Sequence, residues 1–574
     1  MATKTGARLL TLCLLASAAV PAATSGTALI EAVQNDDQAA TAALLKKHVD
    51  VNAREDDGAT ALDWAAIRCN VEIAAMLLKA GANPNLKNEQ GIGALNLAIT
   101  NGSTAIVQLL LDKGADANLA REDGETPLMT AARLNQLDVM KKLLDHGAQV
   151  DAKEKKFGQT ALMWATGHPA EVRLLVERGA DVRAISKVWE ITSTIYTPTT
   201  STIGKTGIPW NNDGAYASKQ GGQNALLFAV QKHDLESVRM LLEAGVDVNI
   251  ASADGTTPLL ASLYKWDPLG KEFVAGTGAP APAGSSARFG ADLAMARFLL
   301  DHGALVNMAD VAGYTPLHGA VLAVAGITTM GRDRSAYGGG RAVRTATAVP
   351  AANSAKLEEA LAMVKRLLDS GADPNRQTMY PTSGPVGDVR INPAPPGSSP
   401  FHIAADSDCL PLVKMLADKG ANPNLIRRDG HSPFSVAVLS TDVTIVKEMV
   451  ARGADLTLRY NPTDHFADPV KPISLTRRNQ TIMHIAAGAA APEVIEFLYS
   501  QGVRLDTRNA QGETPLDLAD YQERYREARD REGAEDKPER VVKRDTATTD
   551  EIKKLLAHSA DSAGLAPRHD GQKP

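Results

Sequence analysis

The stretch LLDHGALVNMADVAGYTPLHGAV, residues Leu299 to Val321, decides the fold of this chain. Its first half ends an apolar run at Gly303, and glycine commonly ends a helix because it accepts the left-handed backbone conformation. Its second half opens a new apolar run with Thr315 and Pro316, where a hydroxyl can cap free amides and a missing N–H costs nothing. The stretch therefore predicts the end of one short helix, a turn and the start of the next.

Both halves recur along the chain. The helix-ending phrase returns with its glycine at Gly81, Gly114, Gly147, Gly179, Gly245, Gly303, Gly371, Gly420, Gly453 and Gly502. A helix-starting phrase such as TALDWAA, TPLMTAA or SPFHIAA precedes each of them. The basic spacing is 33 residues, and five units carry extra segments. A pair of short helices has little apolar surface to bury within itself, so neighbouring units must stack.

This pattern closely resembles the ankyrin repeat family, whose first helix reads T-P-L-H-x-A-A and whose second helix ends L-L-x-x-G-A-D-x-N. The resemblance implies an all-α solenoid, here of about twelve helix-turn-helix units between Thr27 and Ser559, with loop insertions in the fingers and between helices. His48 stands where the first unit would carry glycine. Terminal units are expected to be atypical because one of their faces meets water.

The repeat map predicts the organisation of the whole chain. It comprises a signal peptide at 1–23, repeats 1–5 at 27–185, a finger insertion at 186–219, repeats 6–8 at 220–377 with inter-helix insertions near 267–289 and 325–355, a finger insertion at 378–397, repeats 9–10 at 398–459, a finger insertion at 460–478, repeats 11–12 with a C-terminal cap at 479–560, and a disordered tail at 561–574. Both inter-helix insertions are rich in Ala, Gly, Pro and Ser, which predicts mobile loops. The charged run 521–545 is interpreted as a helical extension of the cap.

The N-terminus has the layout of a secretory signal. Lys4 and Arg8 precede an apolar run at 9–20, and small residues follow it. A membrane anchor is the alternative, but 12 apolar residues are shorter than the roughly 20 that a bilayer span needs. We therefore expect cleavage near Ala22 or Ala23 and export to a bacterial periplasm or secretion, without membrane insertion of the mature chain.

Composition limits the classes of partner and the routes to stability. The formal net charge of −6 offers no general field that would attract nucleic acid or anionic lipid. After signal removal only Cys69 and Cys409 remain, in predicted repeats 2 and 9. A disulfide needs Cα atoms within about 7 Å. Seven stacked units separate the two residues much further, so stability must come from stacked apolar faces.

The finger insertion at 186–219 is unusually aromatic. In the family that the chain resembles, fingers and first helices line a concave face that binds partner proteins. Four candidate protein-binding residues lie in this insertion, namely Trp189, Tyr196, Trp210 and Tyr216. Two interpretations stay open, because the aromatic side chains can anchor a partner or pack the insertion onto the solenoid.

Catalytic and cofactor chemistry finds little support in the sequence. Gly204-Lys205-Thr206 imitates the end of a phosphate loop, but Thr199 stands where the first glycine belongs and a turn, not a helix, follows. His318, His402 and His484 share one slot of the repeat, for which the resemblance implies structural hydrogen bonds. We therefore predict no catalytic residues, no cofactor and no metal.

The predicted function is an exported scaffold that binds another protein through its concave face and finger insertions, as a monomer and without catalysis of its own. Two alternatives stay open: an enzyme or small-molecule binder whose site is built by the insertions, and a secreted effector directed at a host. The same framework carries unrelated surfaces, so the sequence does not name the partner.

Overall fold

The computed structural model describes residues 25–196, 212–263, 292–328, 351–379, 397–407, 409–427, 430–460, 479–520 and 547–562. The chain divides into two compact units, 1–184 and 185–574. Each unit is a stack of antiparallel helix pairs.

The first unit contains five helix pairs in its described residues, 25–184. They are α1 (Ser25–Gln34) with α2 (Gln38–Leu45), α3 (Ala61–Ile67) with α4 (Val71–Lys79), α5 (Ala94–Thr100) with α6 (Thr104–Asp112), α7 (Pro127–Arg133) with α8 (Leu137–Asp145), and α9 (Ala161–Ala165) with α10 (Pro169–Glu177). The first helices of successive pairs pack side by side in one layer, and the second helices form a layer behind them. A turn that we call a finger precedes each first helix from α3 onward.

The second unit begins with an antiparallel hairpin of β1 (Val188–Tyr196) and β2 (Asn212–Gly221). Its helices are α11 (Ala225–Gln231), α12 (Leu235–Glu243), α13 (Pro258–Leu263), α14 (Leu293–Asp301), α15 (Pro316–Thr328), α16 (Ala351–Asp369), α17 (Pro400–Ala405), α18 (Leu410–Asp418), α19 (Pro433–Ser440), α20 (Val443–Ala451), α21 (Ile482–Gly488), α22 (Pro492–Ser500), α23 (515–520) and α24 (Ala547–Ser562). As in the first unit, the helices pack in two layers.

The helix ends follow from the repeated phrases. Thr126 precedes Pro127 at the start of α7, and its hydroxyl accepts a hydrogen bond from the Met129 amide at 3.3 Å. The glycine after each second helix adopts positive φ, for example +83° at Gly114. His48 takes φ of 55° in the same slot of the first repeat, so the backbone turns there without glycine.

The core of each unit lies between its two helix layers. In α4 and α6 the buried residues recur at helical spacing, and all are fully buried: Ile73, Ala74, Leu77, Ile106, Val107 and Leu110. Each large aliphatic side chain gains roughly 1.5–3 kcal/mol from burial. A large part of that burial is against the neighbouring pair, which makes the stack cooperative between nearest neighbours.

A ladder of asparagine side chains joins successive repeats. Asn118 Nδ2 donates to the Gly147 carbonyl at 2.9 Å, and its Oδ1 accepts from the Gln149 amide at 2.7 Å. Both bonds reach one repeat further along the chain. The same pair of bonds is made by Asn52, Asn85, Asn249, Asn307, Asn375 and Asn424.

The inter-helix insertion predicted near 325–355 differs from expectation at both of its ends. Helix α15 continues to Thr328 and helix α16 begins at Ala351, so a loop prediction is wrong for these ends. At the second end, three of the five residues 351–355 are alanine, which favours helix. At the first end, Ala325 is buried and the Thr328 hydroxyl donates to Ser407 O at 2.6 Å, so packing against the next repeat extends the helix. The segment between the two helices lies outside the described residues.

Other predicted segments lie wholly or partly outside the described residues. They are the signal peptide at 1–23, the insertion at 267–289, the charged run 521–545, the tail beyond Ser562, and most of the finger insertions at 378–397 and 460–478. The bases of those two fingers are described. Gly397 N donates to Thr378 O at 2.8 Å, and Tyr460 and Gln480 form an antiparallel bridge.

Replacement of Asn118 tests the ladder. Asn118→Ala removes both inter-repeat bonds, and we expect a loss of about 1–2 kcal/mol in unfolding free energy. Asn118→Asp is the matched control, since an aspartate keeps the acceptor, as Asp151 does for the Asp181 amide at 2.8 Å. Urea unfolding followed by circular dichroism should rank wild type above Asn118→Asp and Asn118→Asp above Asn118→Ala. Equal midpoints for all three proteins would show that the ladder adds no stability.

Candidate functional site

One slot of the first helix places large side chains at the surface of the first unit. The slot follows the fourth residue of the helix-starting phrase and is filled by Trp64, Leu97, Thr130 and Trp164 in α3, α5, α7 and α9. Trp64, Leu97 and Trp164 are half-buried, whereas Thr130 and the alanines that follow the slot in the helices are buried. Because these helices pack side by side, the slot forms a row along the layer. We call it the slot row.

Hydrogen bonds hold the slot row against the fingers. Trp64 Nε1 donates to Glu55 Oε2 at 2.7 Å, and Trp164 Nε1 donates to Gln159 Oε1 at 2.7 Å. Thr130 Oγ1 donates to Glu125 Oε1 at 2.8 Å. In each case the acceptor belongs to the finger of the same repeat. The row therefore lines the inner angle between the first helices and the fingers, with its aromatic rings held in fixed orientations.

A charged group sits beside Trp164. Glu125 is buried and pairs with Arg121 at 3.3 Å and with Arg133 at 3.1 Å. The Arg133 guanidinium carbon lies 5.7 Å from the centroid of the Trp164 ring, within the range of a cation–π contact. An arginine and a tryptophan in contact on a half-exposed surface are the residue types that dominate binding energy at protein interfaces.

Neighbouring fingers are bonded to one another. The Glu89 amide donates to Asp57 O at 2.9 Å, and the Lys155 amide donates to Asp123 O at 2.8 Å. Arg54 Nη1 donates to Lys87 O at 3.2 Å. These bonds fix the spacing of the fingers along the first unit.

The structure describes only part of the aromatic finger predicted at 186–219. Trp189 is 37% exposed and lies at the base of the hairpin, where a Cβ added to Gly221 would come within 2.6 Å of its ring. Tyr216 pairs with Ser193 in the hairpin register. Tyr196 ends β1, while the side chains of Tyr196 and Tyr216 and all of Trp210 lie outside the described residues. The described residues therefore do not test whether the four aromatics come together, and their role in binding stays a prediction.

The three histidines of the shared slot join repeats. His318 Nδ1 lies 2.8 Å from Thr315 Oγ1, and its Nε2 lies 3.2 Å from the Ser398 carbonyl of the next repeat. His402 and His484 make the corresponding contacts to His431 O and Glu513 O. Burial lowers the pKa of His318 to about 4, so the ring is neutral at pH 7. Their role is structural, as the resemblance implies.

Asp63 occupies the histidine slot of the second repeat. Its Oδ2 accepts hydrogen bonds from the Thr60 amide at 2.8 Å and the Thr60 hydroxyl at 2.9 Å. Burial raises the pKa of Asp63 to about 6, against the opposing effect of these bonds. A raised pKa can mark an active site, but here the carboxyl completes a helix cap.

Within the described residues, no group of three or more His, Cys, Asp or Glu side chains is arranged to hold a metal ion. Over the same part of the chain, no helix combines the length and apolarity needed to cross a membrane. The Gly204-Lys205-Thr206 stretch lies outside the described residues.

Family models match the chain over more than half of its length. The model described as ankyrin repeats in three copies matches residues 1–88, 94–186 and 351–460, and the single ankyrin repeat model matches 221–253. The chain belongs to the ankyrin repeat family. Ankyrin repeats generally mediate protein–protein interaction and are typically non-catalytic scaffolds. The chain matches no curated protein sequence.

The ankyrin pattern by itself does not predict the slot row. Trp64 and Trp164 lie inside the phrases TALDWAA and TALMWAT, which predict where the first helices start. The available signal was positional, because the variable residue of the T-P-L-H-x-A-A pattern carries a large apolar side chain three times in four repeats.

The pKa of Asp63 predicts a pH dependence of stability. Because the folded-state pKa is raised from 3.8 to about 6, the carboxyl favours folding below pH 4 and loses that contribution as pH rises through 6. Asp63→Asn keeps the cap neutral at every pH. Thermal melts from pH 4 to pH 8 should therefore show Asp63→Asn gaining on wild type as pH rises, by at most about 3 kcal/mol. A constant difference across this range would contradict the assignment.

Proposed function

We propose that this chain is an exported scaffold that holds another protein against the inner angle between its first helices and its fingers, with no catalysis of its own. The observation that carries the proposal is the slot row of the first unit, in which Trp64 and Trp164 are half-buried and fixed by hydrogen bonds to Glu55 and Gln159. Large aromatic side chains bind partners at low entropic cost when their orientation is already set.

The export part of the proposal rests on the N-terminal sequence. Lys4, Arg8 and the apolar run at 9–20 form the basic and hydrophobic regions of a signal peptide. The aromatic finger at 186–219 supplies a second binding element, in which Trp189 is exposed at the base of the hairpin. A binding protein outside the cytoplasm would meet its partner in the periplasm or in the medium.

Substitution of the slot row tests the binding surface. Trp64→Ala with Trp164→Ala should abolish capture of partner proteins by the full chain in the exported fraction of its own host. Phe298→Ala with Phe497→Ala is the matched control, because both rings are half-buried on second helices beneath Arg239 and Lys447. Mass spectrometry of captured proteins should give the wild-type set for the control. An unchanged set for the tryptophan variant would refute binding by the slot row.

Deletion of 186–219 separates the two interpretations of the aromatic finger. If the finger binds, the variant loses partners that the full chain captures while both stacks stay folded by circular dichroism. A full set of partners would mean that the finger only packs.

Export makes a separate prediction. When the full chain is expressed in a bacterium with a periplasm, N-terminal sequencing of the protein should find a start just after Ala22 or Ala23. Lys4→Glu with Arg8→Glu should leave the uncleaved chain inside the cell, because the basic region of the signal is lost. Cytoplasmic, uncleaved wild-type protein would refute export.

A further inference from the structure

The slot row is bordered by a second row of side chains with the same period. The tips of three successive fingers carry the exposed carboxylates of Asp56, Glu89 and Glu122, each 33 residues from the next. Trp64, Leu97 and Thr130 follow the same period in the helices. Packed helices lie about 8–10 Å apart, so both rows repeat at about that distance.

The basic side chains of these fingers bond to the neighbouring finger or to nearby carboxylates. Arg54 donates to Lys87 O at 3.2 Å, and Lys87 Nζ donates to Ala120 O at 2.6 Å. Arg121 is paired with Glu125 at 3.3 Å and lies 3.9 Å from Asp123. Segments 54–59, 87–92 and 121–125 together hold seven carboxylates and only these three cations. The finger side of the surface is therefore net negative.

The sign of the charge changes at the fourth finger. Lys155 occupies the position of the three carboxylates one repeat later, and its Nζ donates to Glu122 O at 2.9 Å. Lys156 follows, with its Nζ 4.8 Å from the centroid of the Phe157 ring. The acidic row thus covers three repeats and ends at a basic edge.

We propose that the inner angle of the first unit binds an extended basic segment of a partner protein, with a Lys or Arg at about every third residue and apolar side chains between. This inference rests on the proposed function and names the chemistry of the partner. An extended segment in the polyproline II conformation advances about 3.1 Å per residue with three residues per turn, so every third side chain lies on the same face at a spacing of about 9 Å. The cations meet Asp56, Glu89 and Glu122, while the apolar side chains pack on Trp64 and Leu97.

Charge complementarity favours this occupant. An exposed row of carboxylates raises the association rate of a cationic partner and disfavours an anionic one, and the effect weakens with salt. Nucleic acids and anionic lipids present phosphates, which the row repels. The reversal of sign at Lys155 also gives the bound segment a direction, because its basic part must lie toward the second repeat.

Fluorescence anisotropy with defined peptides tests the proposal on the full chain. The probe is five repeats of Lys-Leu-Ser, and the comparison peptides replace each Lys with Glu or each Leu with Ser. We expect the probe to bind, both substitutions to weaken it, and its affinity to fall between about 50 mM and about 300 mM salt. Asp56→Lys with Glu89→Lys and Glu122→Lys should weaken probe binding at least about tenfold.

A matched variant controls for net charge. Glu72→Lys with Asp112→Lys and Asp138→Lys makes the same change in charge on exposed positions of the second helices of the same unit. We expect it to bind the probe within about twofold of wild type. Equal weakening by both variants would overturn the proposal, since only the total charge would then matter. Circular dichroism checks that both fold.

The experiments distinguish failure of the basic-segment proposal from failure of the proposed scaffold function. If the slot-row tryptophans are needed for natural partners but the finger reversal leaves probe binding and partner capture unchanged, the scaffold stands and the basic segment is refuted. If Trp64→Ala with Trp164→Ala also leaves capture unchanged, both proposals fail. Tight binding of the Glu-containing peptide would likewise overturn the basic segment.

Discussion

Each helix pair in this chain depends on its neighbours for burial. A helix such as α4, nine residues long, presents Ile73, Ala74 and Leu77 to surfaces that one pair alone does not supply, so an isolated pair has nothing to offset its loss of conformational entropy. The ladder of asparagine side chains also fixes how each pair is placed on the next. The side chain of Asn118 bonds to the following turn, at Gly147 and Gln149, which sets the register of one repeat on the next. The positions of the fingers, and hence of the slot row, follow from that register.

The same constraint explains why helix starts and ends were predictable and the candidate surface was not. Thr126 with Pro127 starts a helix and Gly114 ends one through contacts within a single turn of the chain, so these boundaries can be predicted from the local sequence. The orientation of Trp64 is decided by Glu55, nine residues earlier, through a finger whose position is set by the neighbouring repeats. The raised pKa of Asp63 likewise arises from burial in the stack, and its sequence neighbours do not reveal it.

Amino-acid composition and three-dimensional structure indicate different candidate binding surfaces in this chain. The insertion at 186–219 concentrates aromatic residues in one segment, whereas Trp64, Leu97 and Trp164 are spread over a hundred residues and come together only when the repeats stack. Histidines show the reverse case. His318, His402 and His484 look reactive one at a time, yet their common slot and their bonds to the next repeat identify them as parts of the framework.

The ladder of asparagines has a consequence for how such a chain changes over generations. Because the bonds of each rung involve only adjacent turns, a whole repeat can be duplicated or deleted while every remaining rung keeps its partners. The length of the slot row then changes by about 10 Å per repeat, the distance between packed helices. Each added repeat also brings one more variable position to the row. Selection can lengthen the recognition surface without redesigning the fold that supports it.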